Sequence, residues 1–168
     1  MIIKKANSIH LDETFRLLKA VAVDMRSKGI LQWNENYPTF SHVQEDIASE
    51  ILYLALIDDK IAGVISIDDN QSPEYNEIPW EFTDGRIMVV HRLAVSPSFQ
   101  KNGIGKILMD YALAHAIKEG FSSIRLDAYS QNERTLNFYK NRDYKYRGDI
   151  YFPYRKEPFN CFEKKIIV

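Results

Sequence analysis

The sequence predicts an α/β fold in which helices flank a mixed, largely antiparallel central sheet, and three observations lead there. Runs rich in branched apolar residues alternate with stretches whose apolar residues recur at helical spacing, in the order β-α-α-β-β-β-α-β-α-β-β. Two of the strands, Leu52–Ile57 and 61–67, are separated only by Asp58-Asp59-Lys60, a hairpin signal. A further apolar strand, Arg86–Val95, runs through a glycine-bearing loop into a long helix. At 168 residues, 45% hydrophobic and 27% charged, the chain suits a single domain over residues 1–168 with a sizeable core.

Each element has its own signal. Ile2–Lys5 reads as a short first strand. Asn7 or Ser8 can cap the next helix, with Asp12 and Glu13 in its first turn, where acidic groups suit the positive end of the helix dipole. Phe15, Leu18, Ala22 and Met25 form its apolar stripe, and Gly29 stands where it closes. Segment 29–38 is polar and broken. Its aromatics Trp33 and Tyr37 are candidates for a substrate wall as well as for covering the core edge. Ser41 with Gln44 reads as the capping box of a second helix carrying Val43, Ile47 and Ile51. After the hairpin, 68–85 is a long polar connection holding Pro73, Pro79 and Trp80, and long loops of this kind are often functional. Asp84-Gly85 turns the chain into Arg86–Val95, and Gly120 ends the long helix that follows. A strand at 123–128, a short helix at 132–141 and strands at Lys145–Ile150 and about 161–167 complete the chain, with the proline-bearing 151–160 as loop.

The segment richest in chemistry is Gln100-Lys101-Asn102-Gly103-Ile104-Gly105-Lys106. A glycine-bearing turn that opens a helix presents unpaired backbone N–H groups at the positive end of the dipole, a natural phosphate site. Two rivals fail on spacing. A P-loop needs G-x-x-x-x-G-K-[ST], yet Gly105-Lys106 is followed by Ile107 and position 100 is Gln. A dinucleotide fingerprint needs a third glycine where Leu108 stands. A net charge of −1 gives no basic field for nucleic acid. The single Cys161 excludes an intramolecular disulfide and suits a reducing compartment. The opening MIIKKANSIHLDE lacks the apolar core of a signal peptide, and no stretch approaches a membrane span, so a cytoplasmic protein is expected. His10, His42 and His115 have no carboxylate or cysteine at metal spacing, so no metal is expected.

The form Q-x-x-G-x-G after a strand ending Leu93-Ala94-Val95 resembles the acyl-CoA-binding motif of the GNAT N-acetyltransferase superfamily. A second stretch, NERTLNFYKNRDY from Asn132 to Tyr144, resembles the family's N-x-x-A-x-x-F-Y-x-x-x-G-F. Thr135 replaces the usual Ala and Asp143 the usual Gly, and Asp tolerates the left-handed turn expected there. Both motifs in order, with a strand between, are far more specific than either alone. The likeness covers nearly the whole chain and implies the acyl-CoA N-acyltransferase fold.

The resemblance implies acetyl-CoA as cosubstrate, lying between the strand ending at Val95 and the strand 123–128. Leu93, Ala94 and Val95 would meet the pantetheine arm through their backbone. Gln100, Lys101, Asn102, Gly103, Ile104, Gly105 and Lys106 would form the diphosphate turn, and Asn132 would touch the cofactor from the start of the last helix. Lys101, Lys106 and Lys140 would meet the outer phosphates. The reaction implied is direct transfer to a primary amine, on a small molecule or a protein. Tyr139 stands at the family's general-acid tyrosine, and a backbone N–H near Leu93 or Ala94 is the oxyanion donor.

For the base, many relatives carry a glutamate where this chain has Val89. His91, whose side chain is suited to proton relay, is the first candidate, with Glu81 and Asp84 behind it. Strand alternation places His91, Leu93 and Val95 on one face. Trp33, Tyr37, Trp80 and His91 are the expected acceptor contacts. Glu35, Asp69, Glu77, Glu81 and Asp84 would attract a cationic amine. Relatives commonly dimerise through terminal strands, so a homodimer fits; no nucleic-acid or membrane partner is expected. The rival reading, prompted by the missing glutamate, is an acyl-CoA-binding or sensing module without turnover.

Overall fold

The computed structural model describes residues 1–153 and 155–168; Tyr154, inside the expected loop 151–160, lies outside the described residues. The described strands are β1 (Ile2–Lys5), β2 (Leu52–Ile57), β3 (Lys60–Asp68), β4 (Arg86–Val95), β5 (Phe121–Tyr129), β6 (Lys145–Ile150) and β7 (Phe159–Lys165). They form one mixed sheet in the order β1-β2-β3-β4-β5-β7-β6. The helices are α1 (Leu11–Ser27), α2 (Phe40–Ala48), α3 (Ile104–Lys118) and α4 (Glu133–Lys140). β1–β2, β2–β3, β5–β7 and β6–β7 pair antiparallel and β4–β5 parallel, as the fold class requires. The packing divides into two compact units, Met1–Ile67 with Arg92–Ala112 and Asp68–His91 with Leu113–Val168.

In the first unit, the β2–β3 turn is tighter than the sequence suggests. Asp58 and Asp59 both sit in the left-handed region, at φ 48° and 61°, and Lys60 already pairs with Ile57. Two consecutive residues of this kind match the right-handed twist of the strands they join. Asn7 caps a 3-10 turn, Ser8–His10, that leads into α1, and Asp12 and Glu13 fall in the first turn of α1.

The cap of α2 is not Ser41, which lies inside the helix. Thr39, in extended backbone at ψ 169°, accepts the His42 N–H, while His42 Nδ1 accepts the Thr39 N–H at 2.9 Å. The imidazole closes the box in the manner of Glu or Gln. Leu17, Leu18, Val21 and Ala22 of α1 pack with Val43, Leu52, Leu54, Leu56, Ile61 and Val64, and Phe15, Met25 and Tyr37 lie half-buried against this core. A Cβ on Gly63 of β3 would stand 3.0 Å from both the Ala94 carbonyl oxygen and Ile104 Cγ2, and 3.1 Å from Leu108 Cδ1. The start of α3 therefore lies directly on β3.

In the second unit, β7 pairs with β5 through Asp127↔Cys161 and Arg125↔Glu163, and with β6 on its other side. β5 and β7 begin two residues earlier than expected, at Phe121 and Phe159. α4 begins at Glu133 because Asn132 serves as its cap, accepting the Thr135 N–H at 3.3 Å. Its Tyr139 ring packs on Phe138, Tyr144 and Phe162. The β4–β5 ladder ends at Val90↔Leu126, although β4 continues to Val95 and β5 to Tyr129.

Candidate active site

Beyond Val95 the backbone of Ser96 donates to the Ala62 carbonyl at 2.9 Å, and a 3-10 turn, Pro97–Phe99, carries the chain to the predicted turn. Gln100 is extended at φ −62°, ψ 157°, whereas Lys101 and Gly103 are left-handed at φ 67° and 74°. The Ile107 N–H donates to Gly103 C=O at 3.1 Å, so the amides of Ile104, Gly105 and Lys106 precede the first helical hydrogen bond of this register. Nothing lies within 4 Å of where a Gly103 Cβ would be, which leaves the backbone open to a ligand. The side chains of Gln100 and Asn102 brace the turn, Gln100 Nε2 donating to Asp24 Oδ2 at 3.3 Å and Asn102 Nδ2 to Phe99 O at 3.2 Å. Lys101 and Lys106 are exposed. Amide groups at the positive end of a helix, with open space before them, fit a diphosphate.

A second constellation lies in the other unit, around Asp127. His91 Nε2 stands 2.5 Å from Oδ1 of Asp68, the last residue of β3. The Tyr75 hydroxyl, from the 3-10 turn Pro73–Glu77 of the long loop, donates to Asp127 Oδ2 at 2.7 Å. Burial raises the Asp127 carboxyl above the usual carboxylate range, while the Tyr75 hydrogen bond and the charge of His91 pull it back down. Tyr139, 5% exposed, has its phenol pushed well up by burial, and by the nearby Tyr144 and Asp127. The two side chains expected to move protons, His91 and Tyr139, thus both interact with one carboxylate. Cys161 is the cross-strand partner of Asp127, nearer this cluster than its place in the last strand suggests. It is fully buried, and burial raises its thiol, which keeps it protonated and poorly nucleophilic.

The long loop is tied down by a buried acid. Glu163, 0% exposed, accepts the Glu81 N–H at 2.7 Å and the Phe82 N–H at 3.4 Å; Arg147 Nε donates to it at 2.6 Å and Arg125 Nε lies 3.9 Å away. Arg125 lies under the Trp80 ring at 4.3 Å and donates to Gln71 and to the Phe82 carbonyl. The Glu81 carboxylate pairs with Arg147. Trp80 donates its ring N–H to the Tyr75 carbonyl at 2.9 Å and packs on the Tyr75 ring. In the first unit Trp33 is a buried member of the core, and Tyr37 lies against His42 and below the Arg92 guanidinium.

Sequence reasoning singled out His91 and Tyr139 and passed over Asp68 and Tyr75, and the Asp127 carboxylate to which Tyr75 is bonded. Asp127 left one local trace, a lone carboxylate between the apolar Leu126 and Ala128 of β5. Among the described residues no cluster of three or more His, Cys, Asp or Glu could hold a metal ion, and no helix is long and apolar enough to cross a membrane.

A family model described as the acetyltransferase (GNAT) family matches residues 18–144. Among solved structures, a GNAT-family acetyltransferase from Streptococcus agalactiae 2603 is 20% identical, with a TM-score of 0.83 over 98% of this chain and 94% of that one. One from Listeria monocytogenes 4b F2365 is 18% identical, with a TM-score of 0.78 and the same coverage. The PaiA N-acetyltransferase of Thermoplasma acidophilum, solved in complex with coenzyme A, is 17% identical, with a TM-score of 0.73 and 98% of each chain covered.

Proposed function

The chain belongs to the GNAT acetyltransferase family, and we propose that it works as one catalytic domain moving the acetyl group of acetyl-CoA directly to a primary amine on a small molecule or a protein. The observation that carries this reading is the turn from Gln100 to Lys106, whose left-handed Gly103 and early α3 amides make a cradle for a diphosphate. The backbone of Leu93, Ala94 and Val95 meets the pantetheine arm, one of these N–H groups donating to the thioester oxygen as it becomes an oxyanion. Asn132 contacts the coenzyme from the start of α4.

An alkylamine is protonated at neutral pH and must lose a proton before its nitrogen can attack. His91 takes that role in preference to Glu81, whose carboxylate is engaged with Arg147. The new C–N bond forms, the C–S bond breaks, the departing thiolate receives its proton from the Tyr139 hydroxyl, and the second proton shed by the nitrogen as the amide forms restores that hydroxyl through solvent. Burial keeps the Tyr139 phenol protonated, so its proton is in place when the thiolate departs. The raised Cys161 thiol argues against an acyl-cysteine intermediate and for a ternary complex. Trp80 and Tyr37 are the aromatic groups available to the acceptor, whereas Trp33 serves the core.

The test is thiol release from acetyl-CoA over a panel of mono-, di- and polyamines and of peptides with free amines. Amine-dependent release, with product mass raised by one acetyl group, is expected. Tight coenzyme binding without release for any amine would replace the enzyme with a sensing module.

A further inference from the structure

Resting on the acetyltransferase reading, we infer that Asp68 is a positioning residue for His91, fixing the tautomer in which Nδ1 is the basic nitrogen. A carboxylate oxygen accepts and cannot donate, so the 2.5 Å contact between Asp68 Oδ1 and His91 Nε2 places the imidazole proton on Nε2. Nδ1 then holds the lone pair. When Nδ1 takes the ammonium proton, the N–H bond breaks and leaves its electron pair on the amine nitrogen, an imidazolium forms, and the Asp68 carboxylate already faces its positive charge.

Asp68 lies 23 residues from His91 in sequence and belongs to neither motif that carries the family resemblance.

The experiment combines steady-state kinetics with 15N spectra of the imidazole on the full chain. In the wild type, at a pH where His91 is neutral, the spectrum should show Nε2 protonated and Nδ1 bare. Asp68→Asn should lower kcat by about ten- to a hundredfold, less than loss of the base itself would, with the acetyl-CoA KM changed less than threefold and with a mixture of tautomers. Asp68→Glu, which keeps a carboxylate beside Nε2, should retain Nε2 protonation and keep kcat within a few-fold of the wild type. A wild-type spectrum with Nδ1 protonated, or Asp68→Asn with kcat unchanged, overturns the inference while leaving the acetyltransferase reading intact. Absence of thiol release by the wild type with every amine overturns the acetyltransferase reading instead, and with it the role of His91 as base.

Discussion

Glu163→Gln tests what holds the long loop in place. Glu163 is wholly buried, and its Oε1 accepts both the Glu81 N–H at 2.7 Å and Arg147 Nε at 2.6 Å. A glutamine oxygen in the Oε1 position can keep both bonds. Its NH2 then occupies the Oε2 position, facing the Phe82 N–H at 3.4 Å and Arg125 Nε at 3.9 Å, donor against donors. Arg125, whose own charge is disfavoured by burial and supported by Glu163, loses its counter-charge. Breaking a buried pair costs about 3–5 kcal/mol, and the two retained bonds argue for the lower figure. For a chain of this size each kcal/mol moves Tm by about 2–4 °C, so a fall of about 6–12 °C is expected. The assays are thermal unfolding and limited proteolysis, with new cleavage inside 69–85. A loss under about 1 kcal/mol with the loop still protected would refute the reasoning.

Tyr139→Phe removes only the hydroxyl from a packed ring, so turnover should fall about ten- to a thousandfold while acetyl-CoA affinity stays within a few-fold; unchanged turnover in a stopped-flow thiol assay takes Tyr139 out of the mechanism. Gly103→Glu puts a side chain on a residue at φ 74° and a negative charge at the α3 amides, and should abolish coenzyme binding by calorimetry; retained affinity would place the diphosphate elsewhere. Because burial raises the Asp127 carboxyl, the folded chain keeps that proton to higher pH than the unfolded chain does. Ionised Asp127 therefore costs stability at neutral pH, and neutral Asp127 costs none below the usual range. Asp127→Asn should accordingly raise Tm at pH 7 and lose that gain as pH falls toward 3.8; a lower Tm at pH 7 would contradict the sign.

Much of the architecture was legible because it rests on local patterns. β4 and β6 fall at Arg86–Val95 and Lys145–Ile150 as read, since turn residues bound both. Asp143 takes the left-handed turn after α4 at φ 65°, as its replacement of glycine required. Misreadings came where two signals competed. Ser41 and Gln44 have the familiar spelling of a capping box, but Thr39, directly after Pro38, is the residue with extended backbone. The strand limits at Phe121 and Phe159 were read two residues late, because pairing across the sheet extends β-structure past the apolar run. The histidine and tyrosine proposed for proton transfer were visible through motif and residue type. Asp68 was not, because it lies 23 residues from His91 and meets it only once the chain has folded.

The missing side chain at Gly63 has a reach beyond its own strand. With only 3.0 Å to Ile104 Cγ2 and to the Ala94 carbonyl, even one methyl would act as a wedge beneath the helix, tilting its opening turn outward by a few tenths of an ångström. Those opening amides are the grip proposed for the coenzyme. A position on a strand outside both family motifs therefore sets the height of the turn proposed to hold the diphosphate.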